Sequence, residues 1–301
     1  RTPLARVSPM LINDFGRTGL RVSVLGLGAG QVGYGGMAED DAGRLLNAAL
    51  DLGVTLIDTA HCYGVSEERI GRHLSGRRDE FVLSSKCGHD VPGVPDWTPA
   101  CVRASVEESL RRLRTDRIDV MHLHSCDADA LADGRLADEL DALRAEGKIR
   151  VVAYSGDNDA LAAAVASGRF GSIETSINIA DQWSLRHAVP DAAASGLGVI
   201  AKRPIANGIW RHAARPDGVY GEVYWDRLQV LAYATDLDLG ELALRFSAFA
   251  PGVGSAIMGT TSLANLRAAV ASVEAGPLPD DVRAAVLARW DAVDPGWDGQ
   301  V

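Results

Sequence analysis

The most constraining feature of this sequence is a regular alternation of short apolar segments with amphipathic helical segments. A chain that alternates strands and helices in this way builds a parallel sheet with right-handed crossovers. Eight such units follow one another without a long linker, whereas open parallel sheets commonly have about five or six strands. The sequence therefore predicts a closed (β/α)8 barrel, the TIM-barrel fold of the α/β class. The predicted strands are residues 22–28, 55–58, 81–86, 118–124, 149–155, 172–176, 198–202 and 255–259.

The length of the chain agrees with a single barrel domain. Such a barrel takes roughly 250 residues, and the chain has 301. We therefore predict one domain over residues 1–301, with loops at the barrel mouth and a C-terminal helix and tail. Three hydroxyl residues precede helical stripes and are predicted N-caps: Ser66, Thr98 and Ser262. A helix over residues 222–249 is predicted to break near residues 238–240.

Four chemically capable side chains lie at or just beyond the ends of three successive predicted strands. Asp58 and His124 end the second and fourth strands, Lys86 ends the third, and Tyr63 follows Asp58 by five residues. Parallel neighbouring strands bring their carboxyl ends to one mouth, where barrel enzymes carry their active sites. His122 lies two residues before His124 on the same strand face, and we interpret it as an inward-facing barrel residue.

A competing interpretation comes from the segment Gly28-Ala29-Gly30-Gln31-Val32-Gly33, which matches the dinucleotide-binding pattern G-x-G-x-x-G. In a Rossmann fold, this pattern opens directly onto a helix whose N-terminus holds the pyrophosphate. Here helical periodicity resumes only near Asp40. We therefore favour a tight loop at the barrel mouth over a Rossmann fingerprint.

Charge and cysteine content restrict the possible partners and compartment. The net charge of −10 argues against an extended nucleic-acid surface, and no apolar run reaches the ~20 residues that span a bilayer. Four cysteines without CxxC spacing suggest reduced thiols and a cytoplasmic location. The pairs Cys87-x-His89 and His122-x-His124 leave a metal-dependent hydrolase as an alternative, although we predict no metal site.

The sequence resembles the aldo-keto reductase family over nearly its whole length. The combination of the Asp58-to-Gly64 segment with Lys86 and His124 is the most specific part of the resemblance. The other matching segments are Leu25-Gly26-Leu27-Gly28, Ser84-Ser85-Lys86, Ile118-Asp119, Gly147-Lys148-Ile149-Arg150, Ala201-Lys202-Arg203-Pro204 and Gly259-Thr260-Thr261-Ser262.

The resemblance implies a carbonyl–alcohol oxidoreductase in which hydride moves to or from a nicotinamide. Tyr63 would be the general acid or base, and His124 would hydrogen-bond the carbonyl oxygen. A free phenol has a pKa of ~10, and we expect the nearby Lys86 ammonium to lower the pKa of Tyr63. Asp58 would pair with Lys86 and keep it charged. Together these residues form the predicted catalytic group.

The resemblance also implies a site for NADP(H), or else NAD(H). Ser155 and Glu174, opposite each other on neighbouring strands, would contact the nicotinamide carboxamide. Three positions depart from common family residues: Gly156 replaces asparagine, Glu174 replaces glutamine and Lys202 replaces an aromatic ring. The predicted cofactor-binding residues are Gly28, Gly30, Asp58, Ser155, Gly156, Glu174, Lys202, Arg203, Pro204, Gly208, Gly259, Thr260, Thr261, Ser262 and Asn265.

An aldehyde, a ketone or a sugar is the predicted substrate. The departures at positions 156, 174 and 202 leave a second hypothesis open, a regulatory barrel that binds the cofactor with little turnover. Aromatic residues in the predicted mouth loops are candidates for the substrate pocket: Tyr34, Trp97, Trp183, Trp210 and Trp297.

Overall fold

A closed barrel of eight parallel strands forms the centre of the protein, as the sequence predicts. The computed structural model describes residues 10–34 and 36–301. A two-stranded antiparallel hairpin, β1 (Ile12–Asp14) and β2 (Arg21–Ser23), precedes the barrel. The barrel strands are β3 (Leu25–Gly28), β4 (Leu56–Asp58), β5 (Val82–Cys87), β6 (Ile118–His124), β7 (Ile149–Ser155), β8 (Ser172–Ser176), β9 (Gly198–Lys202) and β10 (Ser255–Gly259).

Helices follow the barrel strands along the chain. Two short 3₁₀ segments, Ser75–Glu80 and Ala206–Arg211, lie between them. The helices are α1 (Gly30–Gly33), α2 (Glu39–Asp51), α3 (Ser66–Leu74), α4 (Pro99–Leu113), α5 (Ala128–Ala132), α6 (Arg135–Ala145), α7 (Asn158–Ala166), α8 (Trp183–His187), α9 (Val189–Ala194), α10 (Glu222–Leu231), α11 (Leu239–Ala248), α12 (Leu263–Glu274) and α13 (Asp280–Val293).

Two of the three predicted N-caps are confirmed. The Thr98 hydroxyl accepts a hydrogen bond from the Cys101 amide at the start of α4, and Ser262 accepts one from Asn265 at the start of α12. The cap at Ser66 is wrong, because Ser66 is the first residue inside α3. Its hydroxyl instead donates to the Ala29 carbonyl, which ties α3 to the loop after β3.

The barrel interior changes from apolar at the bottom to polar near the mouth. Inward-facing side chains alternate along each strand, as the period of two requires. The lower interior is an apolar cluster that includes Val82, Val120, Val151 and Ile200. Higher residues on the same strand faces are polar and buried: Ser84, Lys86, His122, Ser155 and Glu174. A polar floor therefore lies directly under the mouth.

The predicted first strand, residues 22–28, is two strands in the structure. Val22 and Ser23 belong to the hairpin, and only residues 25–28 enter the barrel. The Ser23 hydroxyl donates to the Leu25 carbonyl and accepts from the Thr55 amide, so the chain turns here. Val22 and Phe15 from the hairpin segment pack in the lower interior cluster and cover the bottom of the barrel.

The predicted helix over residues 222–249 is interrupted earlier than expected. Helix α10 ends at Leu231, and α11 begins at Leu239 after a loop of residues 232–238. Asp238 accepts hydrogen bonds from the amides of Gly240 and Glu241, so it is the N-cap of α11. The Asp-Leu-Gly sequence therefore marks the start of the second helix rather than the break itself.

The Rossmann interpretation is excluded by the strand order. Strand β10 pairs with β3, which closes the sheet, and the glycine motif opens only onto the four-residue α1. No helix within residues 10–34 and 36–301 combines the length and apolar character that a bilayer crossing requires. In the same described residues, all four cysteines are free thiols.

Candidate active site

The four predicted catalytic side chains converge at the barrel mouth. Strand pairing places Asp58 beside Ser84 and Lys86 beside His122. The Lys86 Nζ atom lies 2.5 Å from Asp58 Oδ2 and 5.2 Å from the centre of the Tyr63 ring. The rings of Tyr63 and His124 are 5.7 Å apart in an edge-on arrangement. The expectation drawn from the strand ends is thus met in space.

Lys86 contacts two carboxylates and one carbonyl. In addition to Asp58, its Nζ atom donates to the Thr59 carbonyl at 3.0 Å and lies 3.3 Å from Glu174 Oε2. Burial lowers the pKa of Lys86, but the charges of Asp58 and Glu174 outweigh burial and hold the pKa above its ordinary value. Lys86 is therefore an ammonium at any physiological pH.

Asp58 and Glu174 compete for this single ammonium. Burial, followed by the charge of Glu174, raises the pKa of Asp58 to about 7. Burial also acts to raise the pKa of Glu174, but Lys86 outweighs it and holds that pKa below its ordinary value. The two carboxyls titrate together. A proton bound here near neutral pH is therefore shared by Asp58 and Glu174 and is not assigned to one of them. Glu174 thus adds a negative charge that a glutamine would not bring.

Tyr63 is less acidic than the sequence analysis predicted. Burial raises the pKa of Tyr63 to about 12, and Glu174 and Asp58 add to this rise, whereas Lys86 lowers the pKa as predicted. The predicted net decrease is wrong for this structure, because desolvation of the phenolate exceeds the attraction of one ammonium. Tyr63 is therefore a neutral phenol that carries a transferable proton.

His124 is also neutral and contacts two further side chains. Burial, followed by the charge of Lys86, holds the pKa of His124 well below its ordinary value. Its Nδ1 atom lies 3.1 Å from His89 Nε2 and 3.5 Å from Cys62 Sγ. Neither neighbour was among the predicted site residues. The spacing Lys86-x-x-His89 after a strand was the available signal, because it places His89 at the same mouth.

The side chains of Cys87 and His89, a possible chelating pair in the sequence, point away from each other into different parts of the structure. Cys87 is buried in the outer core with Cys126 and Val102, whereas His89 turns toward His124. Burial raises the pKa of the Cys87 thiol. His122 is fully buried inside the barrel, as predicted, and burial lowers its pKa to about 4. The chelating pairs suggested by sequence spacing are therefore not the groups that the fold assembles.

A cavity of about 1190 Å³ opens at the mouth above these residues. Three predicted cofactor residues lie outside its lining: Gly156 beside the Tyr154 ring, Gly208 in a 3₁₀ segment and Ser262 at the α12 cap. The predicted cofactor residues that do line the cavity are Gly28, Gly30, Asp58, Ser155, Glu174, Lys202, Arg203, Pro204, Gly259, Thr260, Thr261 and Asn265.

Tyr34 and Trp210 are the predicted substrate-pocket aromatics that line the cavity. Trp97 lies one layer behind, with its ring 5.3 Å from His89. Trp183 packs against His187 at 4.8 Å, outside the lining. Trp297 packs edge-on against Trp290 and anchors the C-terminal segment. The position of a tryptophan after a predicted strand or helix does not indicate whether its ring lines the pocket or packs in the hydrophobic core.

Several lining residues were not predicted. Asn207 and Arg211 come from the segment after β9, and Asp238 and Glu241 from the start of α11. Local patterns mark these positions only as a turn and a helix cap. Asp238 and Glu241 reach the cavity through α11, which packs against α12.

The model of the aldo/keto reductase family matches residues 24–291 of this chain. The chain belongs to the aldo/keto reductase family. It is therefore an oxidoreductase of a family that uses nicotinamide cofactors. This aldo/keto reductase has a closed eight-stranded barrel, and Asp58, Tyr63, Lys86 and His124 converge at its mouth.

Two relatives of this aldo/keto reductase have names that specify a sugar substrate. It is 28% identical to L-galactose dehydrogenase of Arabidopsis thaliana over 280 residues, 87% of this chain and 88% of the relative. It is 31% identical to D-threo-aldose 1-dehydrogenase of a Pseudomonas species, covering 82% of this chain and 88% of the relative. In structure, it resembles aldo-keto reductase AKR11C1 from Bacillus halodurans in its holo form. The TM-score is 0.82 at 29% identity, with 93% and 96% of the two chains covered.

Buried polar atoms in the cavity fit the amide end of a nicotinamide cofactor. Ser155 Oγ is buried without a hydrogen-bond partner among the described residues, whereas Glu174 Oε2 is buried 3.3 Å from Lys86 Nζ. Both residues line the cavity. Strand pairing places Ser155 directly opposite Glu174. A carboxamide has both donor and acceptor groups, which can satisfy a hydroxyl and a carboxylate together.

Lys202 forms an ion pair with Asp157 beside the cavity. Its Nζ atom lies 3.0 Å from Asp157 Oδ2, and Asp157 is also 3.9 Å from Arg203. Although burial acts to raise the pKa of Asp157, Lys202 and Arg203 outweigh it and hold the pKa below its ordinary value. The Lys202 side chain is thus held by this ion pair at the wall of the cavity.

Proposed function

We propose that this protein is an NADP(H)-dependent oxidoreductase that interconverts a carbonyl and an alcohol on a small molecule. The observation that carries the proposal is the convergence of Tyr63, Lys86, Asp58 and His124 at one cavity mouth. The Ser155 hydroxyl, which is buried without a partner among the described residues, and the buried Glu174 carboxylate line the same cavity and support a nicotinamide at this place. The names of the two relatives favour a sugar over a simple aldehyde or ketone.

Proton transfer is the part of the reaction that this chain performs. A bound nicotinamide supplies or accepts the hydride. In reduction, the neutral Tyr63 phenol gives its proton to the carbonyl oxygen. In oxidation, the Tyr63 phenolate oxygen takes the proton back from the substrate hydroxyl. The neutral His124 imidazole donates a hydrogen bond to that oxygen and orients the substrate. Lys86 stabilises the developing phenolate, while Asp58 holds Lys86 in position.

The rest of the cavity would hold the dinucleotide. Ser155 and Glu174 would bind the carboxamide, and Arg203 and Pro204 would lie along the pyrophosphate. Gly259, Thr260, Thr261 and Asn265 form the neighbouring wall, at the end of β10 and the start of α12. A helix N-terminus favours a phosphate group, so this wall would receive the adenosine end.

The charges around this wall favour NADP(H) over NAD(H). Arg211 lines the cavity and would attract the additional phosphate. Two acidic lining residues have other partners: Asp238 caps α11, and Glu241 forms an ion pair with Arg245 at 2.6 Å. Their negative charges are therefore partly compensated within the protein.

A negative charge at Thr261 should weaken NADPH binding more than NADH binding. Thr261 is exposed and lines the cavity beside the α12 N-terminus. In Thr261→Glu, the carboxylate repels the 2′-phosphate, and we expect about a tenfold loss of NADPH affinity, equivalent to about 1.4 kcal/mol. Fluorescence titration of both reduced cofactors measures this effect. Thr261→Gln is the neutral control of equal size, and equal losses for NADPH and NADH would contradict the placement.

Turnover with a substrate panel tests the function directly. We expect the purified protein to reduce NADP⁺ with one or more aldoses, or to oxidise NADPH with aldehydes or ketones, as measured by nicotinamide absorbance. Cofactor binding without turnover across the panel would favour the regulatory barrel instead. Absence of binding for both cofactors would overturn the proposed function.

A further inference from the structure

Three metal-ligating side chains meet at the outer edge of the barrel mouth. Cys62 comes from the loop after β4, His89 from the loop after β5, and His124 is the last residue of β6. The atoms Cys62 Sγ, His89 Nε2 and His124 Nδ1 all lie within 4.8 Å of one another. These residues do not form a sequence motif, and the parallel strand order alone brings them together.

Two separations in this cluster are close to the edges of a tetrahedral metal site. Zinc binds histidine nitrogen at about 2.0–2.1 Å and cysteine sulfur at about 2.3 Å, so ligand atoms around a tetrahedral ion lie about 3.3–3.6 Å apart. His124 Nδ1 lies 3.5 Å from Cys62 Sγ and 3.1 Å from His89 Nε2. One thiol and two imidazoles suit zinc rather than magnesium or calcium, which prefer oxygen ligands.

The surroundings of His89 support the same interpretation. A metal-binding histidine usually directs its second ring nitrogen toward a carboxylate. His89 Nε2 faces the cluster, which leaves Nδ1 on the side of Asp90, whose Oδ2 atom lies 4.0 Å away, beyond direct hydrogen-bond distance. The Trp97 ring packs against His89 and restricts its orientation. The His89 side chain is 26% exposed, so an ion can reach the site from solvent.

We propose that Cys62, His89 and His124 bind one Zn²⁺ ion, with the fourth position open to water. The Cys62 thiol releases its proton to solvent when the sulfur coordinates the metal. The ion occupies the edge of the mouth and fixes His124 by its Nδ1 atom. Zinc is therefore a reversible inhibitor of the oxidoreductase rather than a participant in hydride transfer. The inhibition rests on the proposed function of His124, whereas the binding does not.

Cobalt binding tests the site without any need for activity. Chelator-treated protein is titrated with Co²⁺, whose visible bands report tetrahedral coordination and whose near-ultraviolet band reports a thiolate ligand. We expect one equivalent of Co²⁺ with both signals, displaced by one equivalent of Zn²⁺. Saturation without the thiolate band would overturn the site.

Ligand variants identify the residues that hold the ion. Cys62→Ser and His89→Gln should each weaken Co²⁺ affinity by at least about 100-fold, with folding checked by circular dichroism. His187→Gln is the matched control, because His187 is exposed and packs against Trp183 outside the cluster. Unchanged affinity in Cys62→Ser, or an equal loss in His187→Gln, would overturn the assignment.

Inhibition is measured separately with Zn²⁺ during turnover. We expect activity to fall as the site fills and to return when a chelator is added. Filling of the site with full retention of activity would overturn the inhibitory role. If the protein turns over no substrate, the proposed function fails, but the Co²⁺ spectrum still decides whether the metal site exists.

Discussion

Replacement of Tyr63 by phenylalanine should lower kcat by about 10²- to 10⁴-fold, the range for loss of a positioned proton donor. The phenol is buried beside Lys86 and is neutral, since its pKa is about 12. Phenylalanine keeps the ring and its packing but removes the transferable proton. Cofactor affinity should change little, because Tyr63 acts at the reacting carbonyl. Steady-state kinetics and cofactor titration together measure both quantities.

The control for this variant is Tyr233, which is partly buried, as Tyr63 is. Tyr233→Phe also removes a hydroxyl group, but that hydroxyl donates to the Ile179 carbonyl, and Tyr233 is absent from the cavity lining. We expect Tyr233→Phe to keep its kcat. Unimpaired turnover in Tyr63→Phe would remove the proposed mechanism, whereas equal losses in both variants would show a structural effect.

Replacement of Lys86 by methionine should have the largest effect on stability. Methionine leaves Asp58 and Glu174 buried without their ammonium, and breaking such a pair costs about 3–5 kcal/mol. We expect a loss of this size in the free energy of unfolding near pH 8, measured by urea denaturation. The variant should also lose turnover, because no charge stabilises the phenolate of Tyr63.

The stability loss in Lys86→Met should depend on pH in a defined direction. Burial already raises the pKa of Asp58 to about 7 with Lys86 present, and removal of the ammonium raises the pKa values of both carboxyls further. A carboxyl with a raised folded-state pKa contributes stability below its unfolded pKa of ~4 and loses it as pH rises through the folded value. The deficit relative to the unmodified protein should therefore be small near pH 4 and grow toward pH 8.

The double variant Lys86→Met/Glu174→Gln tests the cause of this loss. Glutamine removes one of the two uncompensated carboxyls while it keeps a similar shape. We expect it to restore part of the stability at pH 8 and to flatten the pH dependence. A double variant that is less stable than Lys86→Met at pH 8 would show that packing of the lysine stem, rather than charge, dominates.

The sequence predicted the barrel and the convergence of Asp58, Lys86 and His124 because both follow from local patterns. The alternation of periods of two and 3.6 residues marked every barrel strand. Parallel strands have a common carboxyl end, so Asp58, Lys86 and His124 were expected at one mouth once the alternation was recognised. The caps at Thr98 and Ser262 also followed from local chemistry.

The errors concern features that depend on contacts distant in sequence. Ser23 turns the chain because it bonds to Thr55, so the apolar run over residues 22–28 does not form one strand. Trp183 and Trp297 look like pocket residues in sequence, yet they pack into other cores. The spacing after β5 places His89 at the barrel mouth, but its contact with His124 arises from the pairing between β5 and β6.

By itself, the sequence determined the order of the elements and which residues stand at the strand ends, because periodicity and capping act over a few neighbouring residues. Only the tertiary structure decided the electrostatic state of the site. The pKa of Tyr63 depends on burial and on the nearby charges of Lys86, Glu174 and Asp58, which come from three different strands. Desolvation and Coulomb energies depend on distances in space. Residue order specifies those distances only after the barrel has closed.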